Sequence, residues 1–299
     1  MKITLHRWLS AGLLAALALG TASAKADELT GTLKKARAVG YVVIGYRESS
    51  VPFSFIAGKG DPVGYSIDLC RAIVAAMSEE VGRELPIKWV AVTSETRLPA
   101  VISGDIDLEC GSTTQNAERA KQVGFSPIMF VAGTKLMVKK GSPIKSFTDL
   151  KDKTVVVTAG TTNEKAIKDL NDKFKVGLKM VVARDHAESY GMVASGFAEA
   201  FATDDVLLFG QIAKNKAQGQ YFVVGDFLSY DPYGIMYQKG DLQLKKLIDT
   251  TFANMAEERE LEQTYKKWFL SRLPSGDRIN LPMSAQLNGI FKAMVTKPE

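Results

Sequence analysis

The chain is poor in the residues that build metal and redox centres. Its 299 residues include two cysteines, Cys70 and Cys110, and two histidines, His6 and His186. So few, so far apart, cannot assemble a usual zinc site. No Lys/Arg block is long enough to track a phosphate backbone, and the formal charge of +5 is too mild to argue for nucleic acid. Ser-His-Asp and phosphate-loop patterns are missing too. Beyond the N-terminal region no apolar run reaches the roughly 20 residues that a membrane-spanning helix needs. No cysteine stands near residue 24 to carry a lipid. A protein without metal, cofactor or nucleic-acid partner is expected.

What is present begins with Lys2 and Arg7, an apolar run from Leu9 to Leu19 broken by Ser10 and Gly12, and the small residues Ala22-Ser23-Ala24. A basic head, a short apolar stretch and a small-x-small end form a secretory signal peptide, residues 1–24. Cleavage near Ala24 removes His6, Lys2 and Arg7, which lowers the formal charge from +5 to +3. The remaining chain of about 275 residues is expected to be exported and soluble. That length suits two domains, because single cores stop growing near ~250–300 residues. With 46% hydrophobic and 24% charged residues the composition is that of a globular protein. Cys70 and Cys110 sit in apolar patterns, where a free cysteine acts as a small hydrophobe. Two unpaired core thiols are therefore expected, with a disulfide as the alternative that an oxidising compartment permits.

Short β-branched runs alternate with helical periods. Tyr41–Ile44, Leu85–Val92 and Ile106–Cys110 read as strands. Gly64–Met77 reads as a helix with Ile67, Cys70, Ile73, Val74 and Met77 on one face. Arg97–Ser103 is a short helix with Leu98, Val101 and Ile102 turned inward, and Asn116–Gln122 another helix. The pattern restarts at Ser146, with strands at Thr154–Thr158, Met180–Ala183, 199–203 and 220–224. Helices follow Thr161-Thr162 and span 187–196 and 204–217. Tyr233–Tyr237 is a late strand, two helices fill 241–269, and 284–296 has weak helical character. Strands alternating with helices imply α/β units with largely parallel sheets. Two such units, the first completed by the C-terminal segment, make two lobes joined by two crossing strands. Ligands of open α/β sheets bind outside the carboxyl ends of strands. The turns at 45–50, 111–114 and 158–162 are the places to look.

Several stretches resemble one family. Val63-Gly64-Tyr65-Ser66-Ile67-Asp68-Leu69 is similar to the signature of the polar amino-acid family (family 3) of periplasmic solute-binding proteins, with Ser66 where an acid is usual. Arg47 with Val51-Pro52-Phe53, Gly111–Thr114 with Glu118-Arg119, Phe125-Ser126-Pro127 and Ala159–Thr162 follow in the family's order. Tyr46–Ser54, Glu109–Thr114 and Asp185-His186 resemble the glutamate/aspartate-binding members that serve ABC transporters. The resemblance implies a two-lobed α/β fold of the periplasmic-binding-protein type (type II). It places lobe one at 30–130 with 233–299, lobe two at 134–228, and hinges near Met129–Gly133 and Ser229–Tyr233. It further implies a periplasmic, monomeric, non-enzymatic protein whose partners are glutamate or aspartate and an inner-membrane permease.

The resemblance also implies roles. A buried α-carboxylate needs a paired cation and several donors. The family's carboxylate-binding arginine maps onto Arg119 and its threonine onto Thr114, with Ser112, Thr161 and Thr162 in the adjoining turns. By itself Arg119, between Glu118 and Lys121, reads as an exposed helix charge. The amine-binding aspartate maps onto Asp204, with Asp205 as a neighbour that could be confused with it; either could simply be a helix N-terminal acid. Small Ser50 and Ser94 stand where relatives carry aromatic shelves. Arg47, Arg97 and His186 lie beside the expected cleft, although Arg97 also reads as a surface helix residue and His186 as a loop histidine. Three arginines and an imidazole against Asp204 suit a ligand with two carboxylates and one ammonium. Glutamine is the alternative ligand. A cyclohexadienyl dehydratase-like enzyme on the same fold is the alternative activity, and a sensory module a further one.

Overall fold

The computed structural model describes residues 28–295. The expected signal peptide lies outside them. The chain opens with helix α1 (Gly31–Val39), strand β1 (Val42–Tyr46), a small hairpin of β2 (Ser49–Ser50) and β3 (Ser54–Phe55), and helix α2 (Tyr65–Val81). Next come β4 (Ile87–Ala91), α3 (Arg97–Ser103), β5 (Leu108–Cys110), β6 (Val123–Phe125) and β7 (Phe130–Ala132). The next stretch holds β8 (Thr134–Lys139), β9 (Thr154–Thr158), α4 (Thr162–Phe174), β10 (Lys179–Ala183), α5 (His186–Ser195), β11 (Ala200–Asp204), α6 (Asp205–Lys214) and β12 (Tyr221–Val224). The chain closes with β13 (Asp231–Tyr233), β14 (Met236–Gln238), α7 (Leu242–Glu257), α8 (Glu260–Tyr265) and α9 (Ala285–Val295).

Two five-stranded sheets result, in the orders β4-β1-β5-β14-β6 and β10-β9-β11-β8-β12. They define a two-lobed α/β fold. Neither sheet is largely parallel. In the first, β1 runs parallel to β4 and β5, while β14 is antiparallel to β5 and β6. In the second, β9 is parallel to β10 and β11, while β8 is antiparallel to β11 and β12. The antiparallel half follows from the crossing: each sheet receives a strand directly from a connecting segment, without the helical crossover that parallel pairing demands. The connecting strands β7 and β13 pair with each other, Phe130 opposite Tyr233 and Ala132 opposite Asp231.

Sequence patterns and structure part company at a few positions. The expected helix at 116–122 is only a single 3₁₀ turn, Arg119–Lys121. The run 233–237 is two strands, because Gly234 and Ile235 carry the chain from the crossing pair into the first sheet. In α3 the inward pair is Arg97 and Val101, four residues apart, and Ile102 is 45% exposed. Cys70 and Cys110 are joined in a disulfide, which overturns the expectation of two free thiols. The same apolar face that buries Cys70 in α2 brings it to the end of β5, with the two Cα atoms 6.3 Å apart.

An aromatic cluster anchors the crossing strands to the first lobe. Phe130 stacks on Phe269 and Tyr265, and Phe53 meets Phe130, Tyr65 and Tyr233 edge to face. Ring pairs of this kind contribute about 0.5–1.5 kcal/mol each beyond their burial. The connection is thus fixed at one end to a rigid core.

Candidate functional site

The turns at the carboxyl ends of β1, β5, β9 and β11 converge between the lobes. A small cavity of about 10 Å³ lies there. Ser94, Arg97, Ser112 and Thr114 line it from the first lobe, and Thr161, Thr162, His186 and Asp204 from the second. Asn163 and Leu207 complete the lining. A second, open groove on the outer side of α1, α2 and α7 is flanked by Glu79, Glu80 and Lys246. It holds no buried unpaired polar side chain, whereas the interlobe region holds several.

Arg47 follows β1 and is 1% exposed. Its main chain is pinned by Ser54, whose hydroxyl accepts from Arg47 N at 2.8 Å. Both terminal nitrogens of its guanidinium lack a hydrogen-bond partner. Burial, and then the neighbouring Arg97, push Arg47 down to about 9. A buried, unpaired guanidinium is costly and calls for an anion. Gly111 makes the room: a Cβ there would overlap Glu109 Oε1 and crowd Arg47 Cγ. Arg97 is 3% exposed and donates from Nη1 to Ser112 O at 3.2 Å. Arg119 bridges the lobes, donating from Nη1 to Thr114 O at 3.0 Å and from Nη2 to Gly160 O at 3.2 Å. Burial, then Arg97, lower it to about 10. With five N–H donors it keeps some free for a carboxylate.

The second lobe supplies helix starts. Thr161 caps α4: its hydroxyl accepts from Glu164 N at 3.1 Å and donates to Thr158 O at 2.7 Å. The proton of that hydroxyl is used, so Thr161 can donate to a ligand only from its main chain. The first N–H groups of α4 have no acceptor within the helix, and the positive end of the helix dipole lies there. Asp185 caps α5, accepting from Ala187 N and Glu188 N, and so sets His186 at the first helical position. His186 is 1% exposed. Burial, then Arg47 and Arg97, hold it well below its ordinary value, so the imidazole is neutral. Its tautomer follows from the hydroxyls around it. Ser189 Oγ donates to Asp185 O, so Thr158 Oγ1 must donate to Ser189 Oγ. Thr158 then has only lone pairs for His186 Nδ1, 3.0 Å away, and Nδ1 carries the proton.

Asp204 ends β11. Its side chain makes no cap on α6, which sets aside its reading as a simple helix N-terminal acid. Instead it accepts from Asn163 Nδ2 at 2.7 Å and from the Tyr233 hydroxyl. Burial, then the nearby Asp231 carboxylate, push Asp204 well above the usual carboxylate range, against those two hydrogen bonds. An adjacent cation would offset that cost. Asp205 does not line the cavity; its main-chain amide donates to Gly133 O.

Four buried residues join the site that sequence reasoning missed. Glu109 is fully buried and accepts from Thr113 Oγ1 at 2.6 Å. Asp231 accepts from Thr114 and Thr162. Asn163 and Tyr233 hold Asp204. An acid inside the apolar run 106–110 was the available signal for Glu109; nothing local marked the others. Glu109 and Asp231 also correct the count of charges: three buried or half-buried arginines face three acids, not one. The selective feature is the local placement of Arg47, whose head group has no partner. Ser66, where the family pattern departs, donates to Gly111 O at 2.7 Å and steadies the 111–114 turn.

Comparison with known proteins agrees with this architecture. Bacterial extracellular solute-binding proteins, family 3, match over residues 42–271. An L-glutamate/L-aspartate-binding protein of Pseudomonas aeruginosa is 44% identical over 283 residues, 94% of each chain. A glutamate/aspartate import solute-binding protein of Escherichia coli K12 is 42% identical, over 95% of this chain and 94% of that one. Among solved structures, a mutant arginine-binding protein from T. maritima superposes with a TM-score of 0.72 at 26% identity, covering 81% of this chain and all of that one. A two-lobed fold, a cavity between the lobes and these relationships over nearly the whole chain lead to one assignment: the chain belongs to the family 3 bacterial extracellular solute-binding proteins.

Proposed function

We propose that this protein is the periplasmic ligand-capturing component of an ABC importer and that it binds glutamate or aspartate between its lobes. The observation that carries the reading is the buried, unpaired guanidinium of Arg47, which adjoins Arg97 and His186 at the edge of the cavity that the Asp204 carboxylate also lines. Arg119 and the start of α4 receive the α-carboxylate; Asp204 takes the α-ammonium; Arg47 and Arg97, with Ser94, Ser112 and His186 around them, receive the side-chain carboxylate. A glutamine amide would leave Arg47 uncompensated, and an arginine side chain would add a like charge; either costs several kcal/mol. The names of the relatives at 44% and 42% identity support the same ligands.

The moving bodies are 30–130 with 233–299 and 134–228, hinged near Met129–Gly133 and Ser229–Tyr233. Closure gives the permease a shape to read. The protein acts as a monomer, is exported by cleavage near Ala24, and binds without turning its ligand over. Calorimetric titration of refolded, ligand-stripped protein with the twenty amino acids tests the reading. Saturable 1:1 binding of glutamate and aspartate, with glutamine and arginine far weaker, is expected. Binding of neither acid, or turnover of prephenate or arogenate, refutes it.

A further inference from the structure

The hydrogen-bond directions around Asp231 are unusual for a joining strand. Asp231 is 2% exposed and lies on β13, opposite Ala132 of β7. Thr114 Oγ1, from the first lobe, donates to Asp231 Oδ1 at 3.0 Å. Thr162 Oγ1, from the second lobe, donates to the same oxygen at 2.8 Å. Ser229 Oγ donates to Oδ2. One carboxylate therefore collects protons from both lobes and from the connection between them.

A hydroxyl has one proton and two lone pairs. The two hydroxyls also stand 3.2 Å from each other, farther than either is from Asp231 Oδ1, and the charged oxygen is the stronger acceptor. With both protons drawn to Asp231, Thr114 and Thr162 have only lone pairs left for the cavity, which both of them line. The chain continues in one sense. Because the Ser229 proton is on Asp231, Ser229 Oγ accepts from Thr134 Oγ1 at 2.6 Å, and Thr134 Oγ1 in turn accepts from Asn163 Nδ2 at 2.6 Å. The same Asn163 amide group donates to Asp204. Asp231 is thus the terminus of a buried chain that also orients the partner of Asp204.

We infer that Asp231 is the positioning residue of the ammonium pocket, turning the Thr114 and Thr162 hydroxyls into acceptors that stand with Asp204 around the ligand's amine. This rests on the reading that the ligand is an amino acid. An ammonium has three N–H donors and no acceptor, which matches three acceptors from two lobes. A carboxylate or carbonyl in that place would meet lone pairs only, so the Thr114 hydroxyl is not the carboxylate donor that the family resemblance implied. The arrangement also ties recognition to closure, since its two threonines belong to different lobes and meet on a residue of the connection.

The test compares glutamate with glutarate, the same diacid without its amine. In Asp231→Asn a single oxygen replaces two, so a donor must face a donor at one end, and the acceptor's charge is lost. Glutamate affinity should fall roughly tenfold or more, the scale of a hydrogen bond to a charged group. Glutarate affinity should change little, so the ratio between the two narrows. Thr162→Val keeps the shape, removes one acceptor and should narrow the ratio in the same direction; it decides the matter alone if Asp231→Asn fails to fold. An equal fall for both ligands, or no change for either, overturns the inference and leaves Asp231 a scaffold residue. Wild-type protein that binds neither glutamate nor aspartate instead overturns the proposed function, and the inference with it.

Discussion

The side-chain amide of Gln211, in the second lobe, donates across the cleft to the main-chain oxygen of Ser49 in the first, at 2.6 Å, and both residues are buried. One position earlier in α6, Gly210 packs against the Val51 carbonyl so closely that a Cβ would overlap it. Neither residue lines the cavity. They are contacts of one lobe with the other, not of either with a ligand.

Gly210→Ala is therefore expected to obstruct closure. An overpacked contact costs about 1–3 kcal/mol, or roughly five- to a hundredfold in glutamate affinity. The same change sits inside a helix, where alanine is favoured over glycine by about 1 kcal/mol. The ligand-free melting temperature should hold or rise while affinity falls. Small-angle scattering with saturating glutamate should show lobes wider apart than in wild type. Wild-type affinity in the variant would mean that the lobes close without this contact.

Arg47→Met tests the charge. Removing one member of a buried carboxylate–arginine pair costs ~2–5 kcal/mol, about thirty- to several-thousand-fold in affinity. Methionine keeps much of the aliphatic stem, and the variant loses a buried guanidinium with two unpartnered nitrogens. Ligand-free stability should then be unchanged or higher. Discrimination between glutamate and glutamine should shrink. Titration of both ligands into both proteins measures it, and an unchanged ratio would remove Arg47 from the site.

His186 gives the ligand-free protein a pH dependence of known sign. The unfolded chain takes up a proton near the ordinary value of 6.5, and the folded chain does so only well below it. Below 6.5 the unfolded state binds more protons, so stability falls as the pH falls, by at most about 1.4 kcal/mol per pH unit. Asp204 is shifted upward and works in the opposite direction. The comparison with His186→Asn, which retains a donor toward Thr158, cancels that contribution. Urea unfolding from pH 7 down to pH 5 should show a flatter slope in the variant; parallel slopes would mean that His186 titrates normally in the fold.

The Cys70–Cys110 bridge closes a loop with a sequence separation of 40. A loop of that size removes unfolded-state entropy worth roughly 2–4 kcal/mol. Reduction, or replacement of both cysteines by serine, should lower the melting temperature by several degrees. Glutamate binding should survive, because neither cysteine lines the cavity. A melting temperature insensitive to reductant would count against the bridge.

Much of this protein is determined by sequence alone. The β-branched runs at 42–46 and 154–158 and the apolar face of α2 need only local geometry and burial to become strands and a helix. The caps Thr161 and Asp185 are local as well, since each satisfies amides two or three residues away. In the sequence Arg97 read equally well as a surface helix residue and His186 as a loop histidine. Only the packing of α3 and α5 against the cleft buried them, because exposure depends on what the opposite lobe covers. Pairing Cys70 with Cys110 required the crossing of α2 over β5, a separation in space that spacing along the chain does not encode. Asp231 is the clearest case. Its neighbours in sequence are a serine, a tyrosine and a proline, none of which marks it as part of a site. It acquires its three donors only when two lobes and the strand between them come together, and hydrogen-bond direction exists only once those partners are in place.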